Sequence, residues 1–559
     1  MKKLHSRCFW APRLIISFFL LMNLSGCGEK IVPQKDQKPN VIFIIADDLN
    51  DAVSPLGGHP QALTPNIDRL IKSGMCFTNA HSNNPLCGPS RASMCSGLYP
   101  HTSGYFGGLS YDYRQNPTLK DSKTFIEHFR DNGYKVYGTG KVLHHHHQDP
   151  ALWDNFDGEN GFGIQPSFGP YAWNGVDENE TGHRIPHPGL PKELYENSQV
   201  GNYADVTVAS LGNVPEYKPD PANGIPGYKG WRLYKKPFRY VNDDDRDLMP
   251  DELSANWAVK LLQKEHKKPF FISVGFMRPH VPHIAPQKYF DKFPIDSIQI
   301  ATILENDTAD CAKILVRDFN YGAGNLDGIE NYMAAVKAGG FDAGLKRWTQ
   351  AYLACVNFVD DQLGKILDTL ENSKYAENTI IVFTSDHGYH MGEKSWLYKN
   401  TLWEESTKVP FVWSGPGIRN GVKTDHPTSL IDIYPTLNDL CGLPANPNEN
   451  TNQVPLDGSS LKQILQKSET KDFQGPDFAL TWVASKTGTV KNAGDVSNAE
   501  DHHATIRDKR FRYILCINGE EELYDHQNDP FEWHNLADNS EFQNVKNEMK
   551  NKLIGFTRQ

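Results

Sequence analysis

The chain has 559 residues, more than a single hydrophobic core usually organises, so one large domain with at least one smaller one is expected. Hydrophobic residues at 38%, aromatics at 11%, 45 Gly and 36 Pro describe a loop-rich globular protein and exclude a disordered, fibrous or polytopic membrane chain. A formal net charge of -11 with no Lys/Arg-rich stripe excludes a nucleic-acid binder, so an anionic substrate would have to be held by a few placed cations in a cleft.

At the N-terminus Lys2, Lys3, Arg7 and Arg13 accompany the apolar run Leu14 to Leu21, and Leu24-Ser25-Gly26-Cys27 follows. Residues 1–27 read as a signal peptide, because the apolar run is far short of the ~20 residues a membrane-crossing helix needs. The Leu-Ser-Gly-Cys ending resembles a bacterial lipobox, which implies cleavage before Cys27 and lipidation of its thiol; an ordinary signal peptide with an incidental Cys is the alternative. Export with a lipid anchor, at the periplasmic face or cell surface of a bacterium, is the expected location. Residues 28–39, polar with two prolines, read as a tether. With Cys8 and Cys27 in the export signal, seven of the nine cysteines remain, an odd number without CxxC pairs. That pattern indicates neither zinc nor a dense disulfide framework, leaves room for one or two bridges, and sets one cysteine aside.

The first strand signal is the continuous apolar run Val41 to Ala46, which stops at Asp47-Asp48. Such runs belong to strands covered on both faces of a parallel sheet. Apolar spacing of three and four predicts helices over Pro65 to Ser73 and Thr124 to Asn132. The run Tyr134 to Thr139 leads into Gly140-Lys141, and residues 150–250, rich in Gly, Pro, Tyr, Trp and Asn, read as a loop-bearing insertion. A helix over Ser254 to His266 precedes the run Pro269 to Gly275 and then Arg278-Pro279-His280. A helix over Thr349 to Glu371 precedes the run Thr379 to Ser385, which ends at Asp386-His387-Gly388. Residues 444–470 read as a connection. Short strands at Phe478 to Trp482, Ala504 to Arg507 and Phe511 to Leu515 give a smaller C-terminal α+β unit over 471–559. Four apolar strands delivering charged groups or imidazoles at their C-terminal ends define an α/β fold, with the catalytic domain over 40–443 and ligands bound beyond those ends.

Cys87 stands in Leu86-Cys87-Gly88-Pro89-Ser90-Arg91-Ala92-Ser93-Met94-Cys95-Ser96-Gly97. Pro89 suits a first helical turn, which puts Cys87 at a helix N-terminus, where unpaired N–H groups favour an anion. Read alone, this fits a reactive thiolate or a buried cysteine near a cap. Cys-x-Pro-Ser-Arg followed by Ala-Ser-x-x-Ser-Gly resembles the signature of type I sulfatases, of the alkaline-phosphatase-like superfamily. The resemblance runs from Pro39-Asn40 to Glu522-Leu523-Tyr524-Asp525 and Asp529-Pro530. It implies a large mixed, mostly parallel sheet sandwiched by helices, and a Cys87 oxidised by a formylglycine-generating or sulfatase-maturating enzyme. The hydrated formylglycine is then the nucleophile that attacks sulfur and afterwards expels sulfate.

The same resemblance assigns the other residues. Asp47, Asp48, Cys87, Asp386 and His387 hold the metal, for which oxygen-rich ligands suit calcium better than magnesium. Arg91, Lys141, His144, His280 and Lys399 complete the site, with His280 the general acid. His at 387, the Lys141 to His144 spacing, Arg-Pro-His at 278–280 and Lys399 resemble the iduronate-2-sulfatase branch, which implies a sulfated uronate-containing carbohydrate such as a glycosaminoglycan or ulvan. Taken singly, Asp47-Asp48 also reads as a helix cap, Asp386-His387-Gly388 as a turn, and Lys141 or Lys399 as solvated surface. His145 to His147 read as an exposed loop before a metal site. Trp153, Tyr171, Trp173 and Trp231 offer faces for sugars, or core. The competing functions are a phosphonate or phosphate monoester hydrolase of the same superfamily and a calcium-dependent glycan-binding surface lipoprotein.

Overall fold

The computed structural model describes residues 38–107, 112–144, 152–157, 168–176, 185–192, 208–233, 236–318, 328–449, 454–467, 473–485 and 495–557. The export signal with Cys27, most of the tether and His145 to His147 lie outside them. Among the described residues no helix is long and apolar enough to cross a membrane.

The central sheet contains β1 (Asn40–Asp47), β2 (Gly74–Phe77), β3 (Lys135–Gly140), β4 (Asn155–Phe156), β5 (Phe270–Pro279), β6 (Thr379–Ser385), β7 (Phe411–Ser414) and β8 (Val422–Thr424). Their spatial order is β8-β2-β7-β6-β1-β5-β3-β4. From β6 to β4 every pairing is parallel, whereas β7 runs antiparallel to both β6 and β2. The sheet is therefore mixed and mostly parallel. In β1 the side chains alternate: Ile42, Ile44 and Ala46 enter one core, while Val41, Phe43 and Ile45 enter the other. Helices cover both faces, which is why this strand is apolar throughout.

On the first face lie α1 (Pro65–Lys72), α4 (Pro250–Leu262) and α5 (Gly340–Glu371); on the second lie α2 (Cys87–Ser96), α3 (Phe125–Asp131) and α6 (Ile433–Cys441). Two helices differ from their sequence bounds by more than one residue at an end, and α4 also stops at Leu262, four residues short of His266. α4 starts four residues earlier, with Pro250 in its first turn and Glu252 accepting from the Met249 N–H at 2.8 Å. α5 starts nine residues earlier, because Leu345 and Trp348 extend the apolar stripe that continues at Tyr352. All seven cysteines from Cys76 onward are free and buried, so the bridges that the sequence left open do not form among the described residues.

The described part of the insertion has more regular structure than its composition indicates: Tyr171–Ala172, Trp231–Leu233 and Lys236–Phe238 make a small sheet. Its aromatics mostly pack. Trp231 is fully buried and donates to the Leu211 carbonyl at 2.9 Å, Trp153 and Tyr171 are buried, and Trp173 carries the Arg232 guanidinium 4.0 Å from its ring centre. Trp231, Trp153 and Tyr171 are thus core rather than sugar platforms.

The C-terminal part is an antiparallel sheet of β9 (Ala479–Ala484), β10 (His502–Arg507), β11 (Phe511–Leu515) and β12 (Glu521–Asp525) with α7 (Gln543–Thr557). Its side chains share cores with Tyr99 and Ile431 and with Trp396 and Trp403 of the larger part. Arg512 is wholly buried between Glu404 Oε2 at 2.5 Å and Glu532 Oε1 at 2.6 Å, and His526 Nε2 lies 2.9 Å from the same Glu532 oxygen. Glu404, His526 and Glu532 have the spacing of a metal group, but Arg512, with Arg507 3.3 Å from Glu404 Oε2, supplies the balancing charge. Arg512→Met leaves the buried Glu404 and Glu532 with only Arg507 and His526 as counter-groups and should cost roughly 3–5 kcal/mol. A lowered unfolding midpoint checks this, while Lys509→Ala, which removes an exposed pair with Asp425, should leave the midpoint unchanged.

Candidate active site

Four neighbouring parallel strands end at one edge of the sheet and bring their terminal residues together. β1 delivers Asp47, where its pairing with β5 shifts register so that Asp47 lies opposite Pro279. Such irregularities re-aim side chains next to sites. Asp48 follows with φ 63°, in the left-handed region that non-glycine residues rarely occupy. β6 delivers Asp386 and His387, β5 leads to His280, and β3 leads to Lys141. α2 begins at Cys87, its first bond running from the Ser90 N–H to the Leu86 carbonyl at 2.9 Å. Pro89 sits in that first turn, as the sequence indicates.

Ligand atoms of Asp47, Asp48, Cys87 and His387 lie within 4.8 Å of one another. Cys87 Sγ is 3.1 Å from Lys399 Nζ and 3.3 Å from His387 Nε2. It marks the place from which an oxygen on an oxidised residue 87 would project. Lys399 also binds Asp48 Oδ1 at 2.5 Å, and Lys141 pairs with Asp47. Arg91, one turn along α2 from Cys87, donates from Nη2 to Asp47 Oδ1 at 3.2 Å and from Nε to Asp386 Oδ2 at 2.9 Å. His280 Nε2 stands 3.9 Å from Asp48 Oδ2. His144 is half-buried over the start of α2, its ring 3.9 Å from where a Cβ on Gly88 would stand. All ten residues read from the sequence, Asp386 among them, therefore lie together at the ends of these strands and the start of α2.

Three carboxylates with no solvent exposure would be prohibitive without partners. Burial pushes Asp48 up to about 7 and Asp386 up to about 6, against the pull of Lys399 and Arg91 respectively. Burial opposes the charge on Asp47 too, yet Lys141, His280, Arg91 and Lys399 hold it well below the usual carboxylate range. Burial pushes the Cys87 thiol up to about 12, with Asp47 adding to it, so the unmodified side chain is a poor nucleophile.

The donors fit a divalent cation. His387 Nδ1 lies 3.0 Å from the Gly388 carbonyl, which can only accept, so Nδ1 carries the hydrogen and Nε2 turns its lone pair inward. Burial, with Lys399, keeps that imidazole neutral. The lone pair faces Asp48 Oδ1 at 3.6 Å and Asp386 Oδ2 at 3.5 Å, and Asp48 Oδ2 has no hydrogen-bond partner. A buried carboxylate oxygen without a donor, in a cluster of three carboxylates and an inward imidazole lone pair, is what a cation resolves. Asp386 is more committed than its sequence reading implies. Besides Arg91 it accepts from the N–H groups of Asp48 at 3.2 Å and His387 at 3.1 Å.

Two contributors carry no sequence signal. Phe168 lies 5.2 Å from Lys141 Nζ and 5.0 Å from the His280 ring, covering both from the insertion. Ser385 reads as one more strand residue, but its Oγ accepts the Leu49 N–H at 2.9 Å and so fixes the turn after Asp48.

Fold and site together define an enzyme of the alkaline-phosphatase-like superfamily. The chain belongs to the sulfatase family: the family's model matches residues 39–443, and a model described as N-sulphoglucosamine sulphohydrolase, C-terminal, matches residues 392–559. A sulfatase of Formosa agariphila is 35% identical over 94% of this chain and 89% of its own length. An ulvan-active sulfatase of the same organism is 27% identical over 97% of this chain and 85% of its own. Human iduronate 2-sulfatase is 26% identical over 73% of this chain and 70% of its own. A solved structure described in complex with its substrate D-glucosamine-2-N,6-O-disulfate shares the fold, with a TM-score of 0.61 and 21% identity over 93% of this chain and 98% of its own. The phosphonate monoester hydrolase of Agrobacterium radiobacter also shares it, with a TM-score of 0.62 and 22% identity over 93% of this chain and 95% of its own. The protein is a sulfuric ester hydrolase.

The raised carboxylates set a pH dependence. With folded values above the unfolded ones, Asp48 and Asp386 hold extra protons in the metal-free site, and the stability they contribute is lost as pH rises through about 4 to 7. A bound cation replaces those protons. Calcium should therefore raise the melting temperature more at about pH 8 than at about pH 6, and equal rises would contradict this.

Proposed function

We propose that this sulfatase removes sulfate ester groups from a sulfated, uronate-containing carbohydrate, of the glycosaminoglycan or ulvan kind, using formylglycine made from Cys87 and a calcium ion. The observation that carries the proposal is the convergence on Cys87 Sγ of Lys399 and the neutral His387 Nε2, beside the unpartnered Asp48 Oδ2. The ulvan-active and iduronate sulfatases among its relatives support the carbohydrate class.

Asp47, Asp48, His387 and the oxidised residue 87 would hold the calcium, with Asp386 alongside. When bound, the ion draws charge from the sulfate oxygens and acidifies a neighbouring hydroxyl. The charges nearby favour an anion. Asp47, Asp48 and Asp386 are matched by Arg91, Lys141 and Lys399, so a divalent ion leaves the site positive inside a chain of net charge -11. Arg91 fixes Asp47 and Asp386 relative to the start of α2, which keeps residue 87 aimed at the sulfur. Lys141 and His144 bind sulfate oxygens, and Lys399 holds the nucleophilic side.

His280 serves the leaving alcohol. Its Nδ1 donates to the Val281 carbonyl at 2.6 Å, leaving Nε2 facing the site. Burial and then Lys399 hold its pKa well below the ordinary value. An anionic group between His280 and Lys399 counters this and favours the protonated ring.

Cys87 is only 2% exposed, so the maturating enzyme would have to meet it before folding is complete. Export with a lipid on Cys27 would then place the enzyme at the periplasmic face or cell surface, beside polymers too large to enter a cell. Cys27→Ser should move the protein from the membrane fraction to the soluble one.

The test is a desulfation screen of the matured enzyme on defined sulfated oligosaccharides, with phosphate and phosphonate monoesters as further arms. Release of sulfate from uronate-containing substrates, lost in Cys87→Ala with the melting temperature retained, is expected. Sulfate release by Cys87→Ala, or faster cleavage of the phosphorus esters, would overturn the proposal.

A further inference from the structure

The backbone of Asp48 is clamped on both sides. Its N–H donates to Asp386 Oδ1 at 3.2 Å, and the following N–H, of Leu49, donates to Ser385 Oγ at 2.9 Å. Its carbonyl lies 2.8 Å from the hydroxyl of Tyr352, which belongs to α5 on the far side of the first core. Tyr352 reads from the sequence as one more member of an apolar helical stripe, and it is fully buried. The same hydroxyl accepts the Asn50 N–H at 2.9 Å and stands 3.0 Å from Asn50 Oδ1. The hydroxyl's hydrogen is within reach of two acceptors, and the Asp48 carbonyl is the shorter contact, while Asn50 Oδ1 also accepts from the Ala52 N–H at 2.9 Å. Asn50 is held in turn by its Nδ2 donating to the Tyr389 carbonyl at 2.9 Å, and the Tyr352 and Tyr389 rings stack with centres 5.7 Å apart.

A residue at φ 63° persists only where its surroundings over-determine it. Rotation back toward the ordinary region would swing the Asp48 carboxylate away from Lys399 and from the other metal donors. We infer that Tyr352 is a positioning residue for the metal: its hydroxyl locks the left-handed backbone of Asp48 and thereby aims the Asp48 carboxylate at the ion. This rests on the reading of Asp48 as a metal ligand. Partners that orient ligands from outside the first layer typically set metal affinity by ten- to a hundredfold.

The experiment is calorimetric titration of calcium alone into the matured enzyme stripped with chelator, for wild type and Tyr352→Phe, Tyr389→Phe and Asp48→Asn. Tyr389→Phe is the control for the ring stack, because its hydroxyl faces the Leu397 carbonyl at 3.3 Å rather than the Asp48 carbonyl. Tyr352→Phe should weaken calcium binding about tenfold or more, while Tyr389→Phe binds as wild type. Wild-type affinity in Tyr352→Phe, or equal weakening in both tyrosine variants, would overturn the inference. Unchanged affinity in Asp48→Asn would instead overturn the underlying reading of Asp48. Melting temperatures of the stripped variants separate a folding defect from a binding one.

Discussion

Three carboxylates with no access to water, Asp47, Asp48 and Asp386, are the constraint around which the rest of this protein is arranged. Each sits at or just past the end of a fully buried, largely apolar strand, so the sheet that stabilises the fold also carries charge into its own interior. Such burial is tolerable only with counter-charge in contact, and Arg91, Lys141 and Lys399 provide it from α2, β3 and the loop after β6. The balance is incomplete: Asp48 Oδ2 is buried without a hydrogen-bond partner, and the inward lone pair of His387 meets only the Cys87 sulfur, at 3.3 Å. That gap is where a cation belongs, and it lies beside Cys87.

The C-terminal part bears on the same region through one loop. Lys394, at φ 56°, is buried against Asp307 at 2.7 Å and against the Glu532 carbonyl, and Ser395 and Asn400 beside it also have positive φ. This strained segment presents Lys399. Glu532 is in turn fixed by Arg512, whose other carboxylate partner, Glu404, lies just beyond Lys399 in the chain. The smaller sheet thus contributes to catalytic geometry by holding a loop of the larger one, and a family model that spans 392–559 begins within that loop.

Much of this was legible in the sequence because period and punctuation agreed. Thr379 to Ser385 appears as β6 at the same bounds, since a run rich in β-branched residues closed by Asp386-His387-Gly388 leaves little freedom. Cys87 at the start of a helix followed from Pro89 alone, whereas its chemistry did not; that came from the length of the motif around it. What escaped notice depends on partners far along the chain. Ser385, Tyr352 and Phe168 have ordinary strand, helix and loop contexts, and only folding brings them against Leu49, Asp48 and the Lys141–His280 pair. The tryptophans of the insertion illustrate the converse. Their type suits sugar stacking, but Trp231 is spent on core packing, because a large apolar ring is buried wherever the fold offers a partner for its N–H.

The central claim is that residue 87 does its chemistry only after its thiol has been replaced. With a thiol pushed up to about 12 by burial, the unmodified residue stays uncharged and is a poor nucleophile. The most direct measurement is the mass of the peptide containing residue 87, taken from a preparation whose sulfate-releasing activity has been measured in parallel. Activity that rises in proportion to the fraction of peptide with an aldehyde in place of the thiol is the predicted result. An active preparation in which that peptide is entirely the unmodified thiol would contradict the account.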